Sequence, residues 1–351
     1  MNTKEYINYL IKKAKENIDK STIIFLANVE GVSINIDDYN DSSILTEFLS
    51  MEEYNELLNS CQNFGFYTLT YFDVNDFIKD YLNNKFRDRK IIVFEGTQRG
   101  TCRGRDALTP SFCDLSFIMH TGPNAYINSL CTNKYHWTKL LENHNILVPK
   151  SWRFYNQNWL DDKFPEKNIK LIAKPCYECA SIGIHKQSVD VYTVNYEKYL
   201  KKISKIYKQP LIVQEFISGY EVEVPIIISK KIPYILPPVV LYKDSTFAMN
   251  DSFLDFDDIH DDDYRFCLLA DINPLWSDKI TKKVYKIIEL LELDRYARID
   301  FRLTHDGMAY VTDINSYPHI VKHSSFAYSF EQLNIDHCNI LPCLIGNVLY
   351  D

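Results

Sequence analysis

The chain has 351 residues, 46% hydrophobic and 25% charged, an ordinary globular balance that argues against disorder. Its formal charge is −8, from 39 Lys and Arg against 47 Asp and Glu, whereas a nucleic-acid partner would demand the opposite sign. Nine cysteines are too few for a disulfide scaffold, and no stretch approaches the ~18 apolar residues of a membrane span, so a reduced, cytoplasmic setting away from membranes is expected.

Apolar residues at Tyr6, Leu10, Ile11 and Ala14 predict an amphipathic first helix, followed by an apolar strand over 22–27. A helix around 51–63 leads to strands at 67–72 and 90–94, the second ending in Glu95-Gly96. Strands alternating with helices predict a small α/β domain over residues 1–121. Thr132 or Asn133 can cap a helix running to about Asn143, with Pro149 at its exit. Strands at 170–174 and 182–185 and a lysine-rich helix near 196–207 complete a second unit, 122–210. The third, 211–351, opens with a strand at 211–216 and turns at Gly219 into an alternating strand, 221–228. An acidic stretch and a helix at 278–291 then lead to a hairpin over 296–315.

That hairpin carries the strongest chemical signal. Arg298-Ile299-Asp300-Phe301-Arg302 is joined through Asp306-Gly307 to Tyr310-Val311-Thr312-Asp313-Ile314-Asn315. A two-residue type I′ turn at Asp-Gly would set Asp300 opposite Asp313 and Arg298 opposite Asn315. All four would share one face, with Ile299, Phe301 and Ile314 on the other. Two directly opposed carboxylates repel, and Mg²⁺, which takes oxygen ligands from carboxylates and phosphates, is the natural partner. Arg298 beside the pair suits a phosphoryl or acyl oxygen. A solvated edge hairpin with an Asp–Arg pair is the alternative.

Lys174 ends an apolar strand before the small-residue loop 175–183, where loop N–H groups and Ser181 could meet a phosphate. Lys134 lies in the first turn of its helix. Gln214-Glu215-Phe216-Ile217 runs into Gly219 and Glu221, a strand end that could read a purine edge and a ribose hydroxyl or could be purely structural. Cys176 and Cys179 form a lone C-x-x-C, without the second pair a structural zinc site needs.

Taken in order, these segments resemble the ATP-grasp superfamily, and within it the D-alanine–D-alanine ligase-like carboxylate–amine ligases. The likeness is clear over residues 121–324. The lysine helix and its exit match Lys134 through Pro149, and a "KPxxxGSSxGV" loop matches Lys174 to Ile184. An adenine strand matches Gln214 to Glu221, and an "RxDF…E-x-N-x-x-P" hairpin matches Arg298 to Pro318. The resemblance implies three α/β subdomains, the first a Rossmann-like pre-ATP-grasp domain, with ATP between the central and C-terminal ones. It implies that Lys134 and Lys174 contact ATP phosphates under a loop containing Ser181. Gln214 with the backbone of Glu215 and Ile217 would read adenine, and Glu221 would hold the ribose. Asp300, Asp313 and Asn315 would bind Mg²⁺ or Mn²⁺. Arg298 and the His319 N–H would stabilise oxyanions, and His323 and Ser324 would lie on the acceptor side. Small-molecule acid and amine substrates, an acyl phosphate, release of ADP and a homodimer complete the implication.

Departures from the family pattern concern substrates. Asp313 stands for a glutamate, Gln214 for a glutamate, Cys179-Ala180-Ser181 for Gly-Ser-Ser, His319 for a glycine and Glu95-Gly96 for a His-Gly pair. Between Lys243 and Lys279 there is no lysine, only Arg265, and instead Asp255, Asp257, Asp258, Asp261, Asp262 and Asp263. That stretch is either a solvated loop or a surface for a cationic acceptor. A small-molecule kinase and a nucleotide-binding module without turnover are the competing functions on this scaffold.

Overall fold

The computed structural model describes residues 1–34, 37–87, 89–243, 246–261 and 263–350. Strand β1 (Thr22–Ala27) is apolar after its first residue because both of its faces are buried, as parallel strands require. It pairs with β2 (Tyr67–Tyr71) and β3 (Ile91–Gly96), and β3 with β4 (Met119–His120), giving a parallel sheet in the order β2-β1-β3-β4. The helix Met51–Phe64 starts at a capping box of Ser50 and Glu53 and stops at Gly65, whose φ of 112° suits a glycine.

The second sheet is antiparallel: β5 (Ser151–Tyr155), β6 (Asn158–Trp159), β7 (Lys170–Pro175), β8 (Val189–Val191) and β9 (Leu211–Glu215), in the order β6-β5-β9-β7-β8. Helix Val194–Tyr207 covers it with Tyr196, Leu200, Ile203 and Tyr207. Two expectations change here. Residues 182–185 are turn rather than strand: Ile182 is buried as a plug, with its N–H on the Cys179 carbonyl, and Gly183 sits at φ +77°. Pairing also puts β9 in this central sheet, across the expected boundary at 210/211.

The third sheet holds β10 (Tyr220–Ser229), β11 (Ile232–Ile235), β12 (Val239–Tyr242), β13 (Arg265–Leu268), β14 (Tyr296–Leu303) and β15 (Ala309–Asn315). Its order is β13-β12-β10-β14-β15, with β11 also on β10. Helix Pro274–Leu291, capped by Asn273 with proline in its first turn, buries Ile280, Val284, Ile287 and Leu291 against it.

The β14–β15 connection is not a type I′ turn. Gly307 alone has positive φ, +85°, its N–H donates to the Thr304 carbonyl, and Thr304 N–H donates to the Met308 carbonyl. That three-residue loop shifts the register by one, so Leu303 faces Ala309 and Phe301 faces Val311. A bulge at Thr312 shifts it back, and Asp300 faces Asp313 and Arg298 faces Asn315 as expected. The first helix, Thr3–Lys15, lies on the last, Ile340–Tyr350, so closely that a Cβ on Gly346 would fall 1.9 Å from the Leu10 carbonyl oxygen. Among the described residues, no helix is long and apolar enough to cross a membrane.

Candidate active site

A cavity of about 950 Å³ is lined by residues of all three sheets and their loops. Its lining includes Lys134, Lys174, Ser181, Gln214, Glu215, Ile217 and Glu221 on one side, Arg298, Asp300, Asp313 and Asn315 on the hairpin, and His319, His323 and Ser324 beyond it.

The hairpin face shows how the opposed carboxylates coexist. Arg298 grips Asp300 through Nε and Nη2, both at 2.8 Å, and its Nη2 lies 3.2 Å from Glu223. Lys134 Nζ lies 3.1 Å from both oxygens of Asp313. Burial raises the Asp300 pKa despite Arg298. Burial also works against Asp313, but Lys134 and Lys174 overcome it and hold that carboxyl below its ordinary value. Lys134 is the mirror case: burial opposes its charge, and Asp313 outweighs burial. Among the described residues Lys174 has no such close partner. Its Nζ meets the Thr312 carbonyl at 3.4 Å, and burial lowers its pKa. Asn315 Oδ1 accepts from the Tyr317 N–H at 2.8 Å, which turns the chain toward His319.

At the other end of the cavity, Gln214 Nε2 donates to Ser151 Oγ at 3.1 Å, and the Glu215 N–H donates to the Lys150 carbonyl. Arg302 binds Glu221 at 2.8 Å and the Ile217 carbonyl at 2.9 Å, tying the strand end to the crossing segment at Asn250 and Ser252. Arg302 and Glu223 were missed in the sequence, although alternation puts them on the same face as Asp300 and Glu221. Glu223 is paired across the strands with Asp300 and is pushed up to about 7, chiefly by burial.

The loop after β7 is strained and strapped down. Ala180 and Ser181 have φ of +47° and +53°, which costs about 1 kcal/mol or more for each non-glycine residue. The N-terminal domain holds the loop: Ser42 Oγ accepts the Gly183 N–H at 2.9 Å and Glu47 accepts the Cys179 N–H at 3.1 Å. Beneath it, buried Arg105 bridges Glu47 at 3.3 Å and Glu178 at 3.0 Å, while Tyr39 donates to Glu178 at 2.7 Å. Each of these contacts joins residues at least 58 positions apart, so no local pattern could reveal them. Arg105→Met should therefore destabilise the protein by about 3 kcal/mol in urea unfolding, because two buried carboxylates lose their counter-ion. Cys176 and Cys179 are free cysteines whose thiols burial pushes up, Cys176 to about 12, so neither is a reactive thiolate at neutral pH.

Several side chains on the far wall already have partners. His319 Nε2 meets Glu53 at 2.8 Å, leaving its peptide N–H as the relevant group. Ser324 Oγ donates to the Val321 carbonyl and caps helix Ser325–Gln332 through the Ala327 N–H, and His323 Nε2 lies 3.3 Å from the Tyr264 carbonyl oxygen. Three aspartates of the acidic stretch are also engaged: Asp258 and Asp263 hold Lys243, and Asp255 caps helix Phe256–His260. Asp262 lies outside the described residues. Among the described residues, none of these aspartates lines the cavity; Phe256, Ile259, Tyr264 and Phe266 do.

Residues 141–346 match the family described as D-ala D-ala ligase C-terminus. D-alanine–D-alanine ligase B of Clostridium perfringens is 24% identical over 247 residues, 70% of this chain and 77% of that protein. The D-alanine–D-alanine ligase of Halothermothrix orenii is 23% identical over 274 residues, 76% of each chain. The crystal structure of the Bacillus anthracis D-alanine–D-alanine ligase complexed with ATP shares the fold with a TM-score of 0.67 at 16% identity, over 93% of this chain and 97% of that one. The VanG D-Ala:D-Ser ligase of Enterococcus faecalis does so with a TM-score of 0.63 at 15% identity, over 94% and 99% of the two chains. The family match runs from the last turn of the helix that begins at Lys134 through the β14–β15 hairpin to the last helix, more than half of the sequence, and the chain belongs to that D-ala D-ala ligase family, on an ATP-grasp fold.

Proposed function

We propose that the protein is an ATP-dependent carboxylate–amine ligase that forms an amide through an acyl phosphate. The observation carrying this reading is the meeting, in one cavity, of Lys134 and Lys174 with the oxygen set of Asp300, Asp313 and Asn315. The relatives' names favour a ligase over a kinase or a binding module.

In this reading the three subdomains follow the three sheets, with the second boundary moved past β9 to about residue 216. Lys134, Lys174 and the loop at Ser181 take the phosphates. With the Glu215 N–H and the Ile217 carbonyl already bonded, the Glu215 carbonyl and the Ile217 N–H remain for the purine edge, beside Gln214. Glu221, steadied by Arg302, accepts from the ribose. Asp300, Asp313 and Asn315 offer only hard oxygens, the chemistry Mg²⁺ or Mn²⁺ selects. Asn315 lies two residues beyond Asp313 on the same strand and opposite Arg298, and its amide oxygen joins the two carboxylates in this reading. The bound cation supplies charge neutralisation and alignment of the phosphates.

The chain's own contribution is placement and charge. The acid's carboxylate oxygen bonds to the γ-phosphorus as the bond to ADP breaks. The amine nitrogen then bonds to the acyl carbon as the bond to phosphate breaks, and the amine gives up a proton. Arg298 and the His319 N–H stabilise negative charge on oxygen in both steps, which requires Arg298 to remain oriented by Asp300 and Glu223. Lys134 exchanges part of its hold on Asp313 for phosphate.

Amino acids and small amines screened with ATP and Mg²⁺, with hydroxylamine as trapping amine, test this reading. A hydroxamate requiring both ATP and a carboxylate, formed with equimolar ADP, is expected. A stable phosphorylated product would make the protein a kinase, and no ADP with any acid would make it a binding module.

A further inference from the structure

The cavity face of the third sheet changes character from one edge to the other. Strand pairing sets Phe266 of β13 beside Leu241 of β12, Leu241 beside Glu221 of β10, and Glu221 beside Arg302 of β14. All four line the cavity, so they share one face of the sheet. The half made by β10, β14 and β15 is charged, bearing the carboxylates, Arg298 and Arg302. From β12 and β13, among the described residues, only Leu241 and Phe266 reach the cavity, and that half is apolar.

The acidic segment before β13 extends the apolar half. Asp258 and Asp263 turn to Lys243, and the residue after each of them, Ile259 and Tyr264, lines the cavity instead. The Tyr264 and Phe266 ring centroids are 5.5 Å apart, and the His323 ring packs on them at 4.7 and 5.2 Å. This wall adjoins the reacting groups. His323 follows His319 by four residues, and β12 meets β10 at Glu223, whose carboxylate lies 3.2 Å from Arg298.

Nothing on the wall suits an anion. Among the described lining residues the Lys and Arg side chains are Lys134, Lys174, Arg298, Arg302 and Lys322. Arg298 and Arg302 are held by Asp300, Glu223 and Glu221, and Lys134 by Asp313. Lys174 lies over the Thr312 carbonyl on β15, at the opposite edge of the sheet, and Lys322 is exposed, with its own N–H on Glu56. Arg265 is exposed and lies off the cavity. Ser324 has one hydroxyl proton, already given to the Val321 carbonyl at 2.6 Å, so it cannot also donate to a carboxylate. Glu221 and Glu223 border the apolar half and repel any anion laid on it.

We propose that this wall is the acceptor subsite and takes an amine that has an apolar or aromatic body and no carboxylate. The proposal deepens the ligase reading and rests on it. The body of the amine lies on Leu241, Phe266 and Tyr264, and its nitrogen faces the charged half, where Arg298 and the His319 N–H hold the acyl oxygen. Glu221 and Glu223 favour the ammonium form in which the amine arrives. The aspartates act at one remove: drawn to Lys243, they seat Ile259 and Tyr264 in the wall.

The test uses the full-length protein loaded with Mg²⁺ and AMP-PNP, and calorimetry with ethylamine, 2-phenylethylamine and both enantiomers of phenylalanine. The two amines differ in the aromatic body, and phenylalanine adds a carboxylate to the larger one. 2-Phenylethylamine should bind at least about tenfold more tightly than ethylamine, the effect of burying part of one aromatic ring. Phe266→Ala should reduce that ratio to about threefold or less. Whatever phenylalanine binds should bind equally in Phe266→Ala, because its carboxylate keeps it off the wall. Ile259→Lys, which adds a cation to the wall, should tighten phenylalanine binding by about tenfold. Equal binding of the two amines, a ratio that survives Phe266→Ala, phenylalanine binding that falls in Phe266→Ala, or no amine binding overturns the proposal. If Phe266→Ala does not fold, unchanged phenylalanine binding in Ile259→Lys overturns it equally. Phe266-dependent amine binding without hydroxamate formation would sink the ligase reading and leave the wall an amine site. Hydroxamate formation without Phe266-dependent amine binding would do the reverse.

Discussion

Asp300→Asn should lower turnover by about 10³ while the protein stays folded. In the proposed reading the substitution removes one of the two carboxylates that the hairpin offers a divalent cation, and it leaves the shape unchanged. The stability cost should be modest. Asparagine keeps one acceptor for Arg298, and Arg298 keeps Glu223 at 3.2 Å, so no buried cation is left alone. Relief of the buried anion also works in the variant's favour, since burial already raises the Asp300 pKa. A loss of about 1–2 kcal/mol is expected from urea unfolding, alongside the collapse of kcat. Full activity would remove Asp300 from the metal set, and global unfolding would make it a structural anchor of Arg298.

Lys174→Met should move stability and activity in opposite directions. The lysine has a carbonyl at 3.4 Å as its hydrogen-bond partner, and burial depresses its pKa against the pull of Asp313. A methionine of similar length keeps the packing and removes the buried charge, and Asp313 retains Lys134. Unfolding free energy should rise by up to about 1 kcal/mol, while ATP-dependent turnover falls by about 10²–10³ as a phosphate loses its counter-charge. The sign of the pH dependence follows from linkage. The folded-state pKa lies below the ordinary 10.5, so between the two values the unfolded chain binds more protons and wild-type stability rises with pH. The cost of the buried charge is full below the folded-state pKa and is relieved on the way to 10.5. The variant's gain should therefore be largest at neutral pH and shrink as the solution becomes alkaline. A destabilised variant, or a gain independent of pH, would contradict the placement of Lys174 as an unneutralised cation awaiting phosphate.

What could be read from residue order depended on how local its cause is. The period-two pattern of β14 and β15 placed Asp300 opposite Asp313, yet the turn assumed for that register is wrong. The three-residue loop closed by Gly307 and the bulge at Thr312 each shift the pairing by one, and they cancel. The face bearing the carboxylates was legible because Ile299, Phe301 and Ile314 must be buried, whatever the turn. Residues 182–185 misled because two isoleucines in a short run satisfy a strand pattern, whereas Ile182 fills the core from a left-handed loop. The strap over that loop, through Ser42, Glu47, Arg105 and Glu178, joins residues 58 to 141 positions apart, and only tertiary structure brings them together. Glu95 was visible as a departure from a family His-Gly pair, but its hydrogen bond with His120 depends on tertiary structure. The acidic stretch at 255–263 left two readings open, a solvated loop and a surface for a cationic acceptor. Among the described residues, Asp258 and Asp263 hold Lys243 and Asp255 caps a short helix, partners that a run of one charge does not disclose.

The most direct measurement is a crystal structure with AMP-PNP and Mn²⁺, located by its anomalous scattering. Manganese within about 2.2 Å of Asp300, Asp313 and Asn315 oxygens, with Lys134 and Lys174 turned onto the phosphates, is the expected result. Manganese bound elsewhere, or a nucleotide that leaves the Lys134–Asp313 pair and the hairpin face untouched, would contradict it.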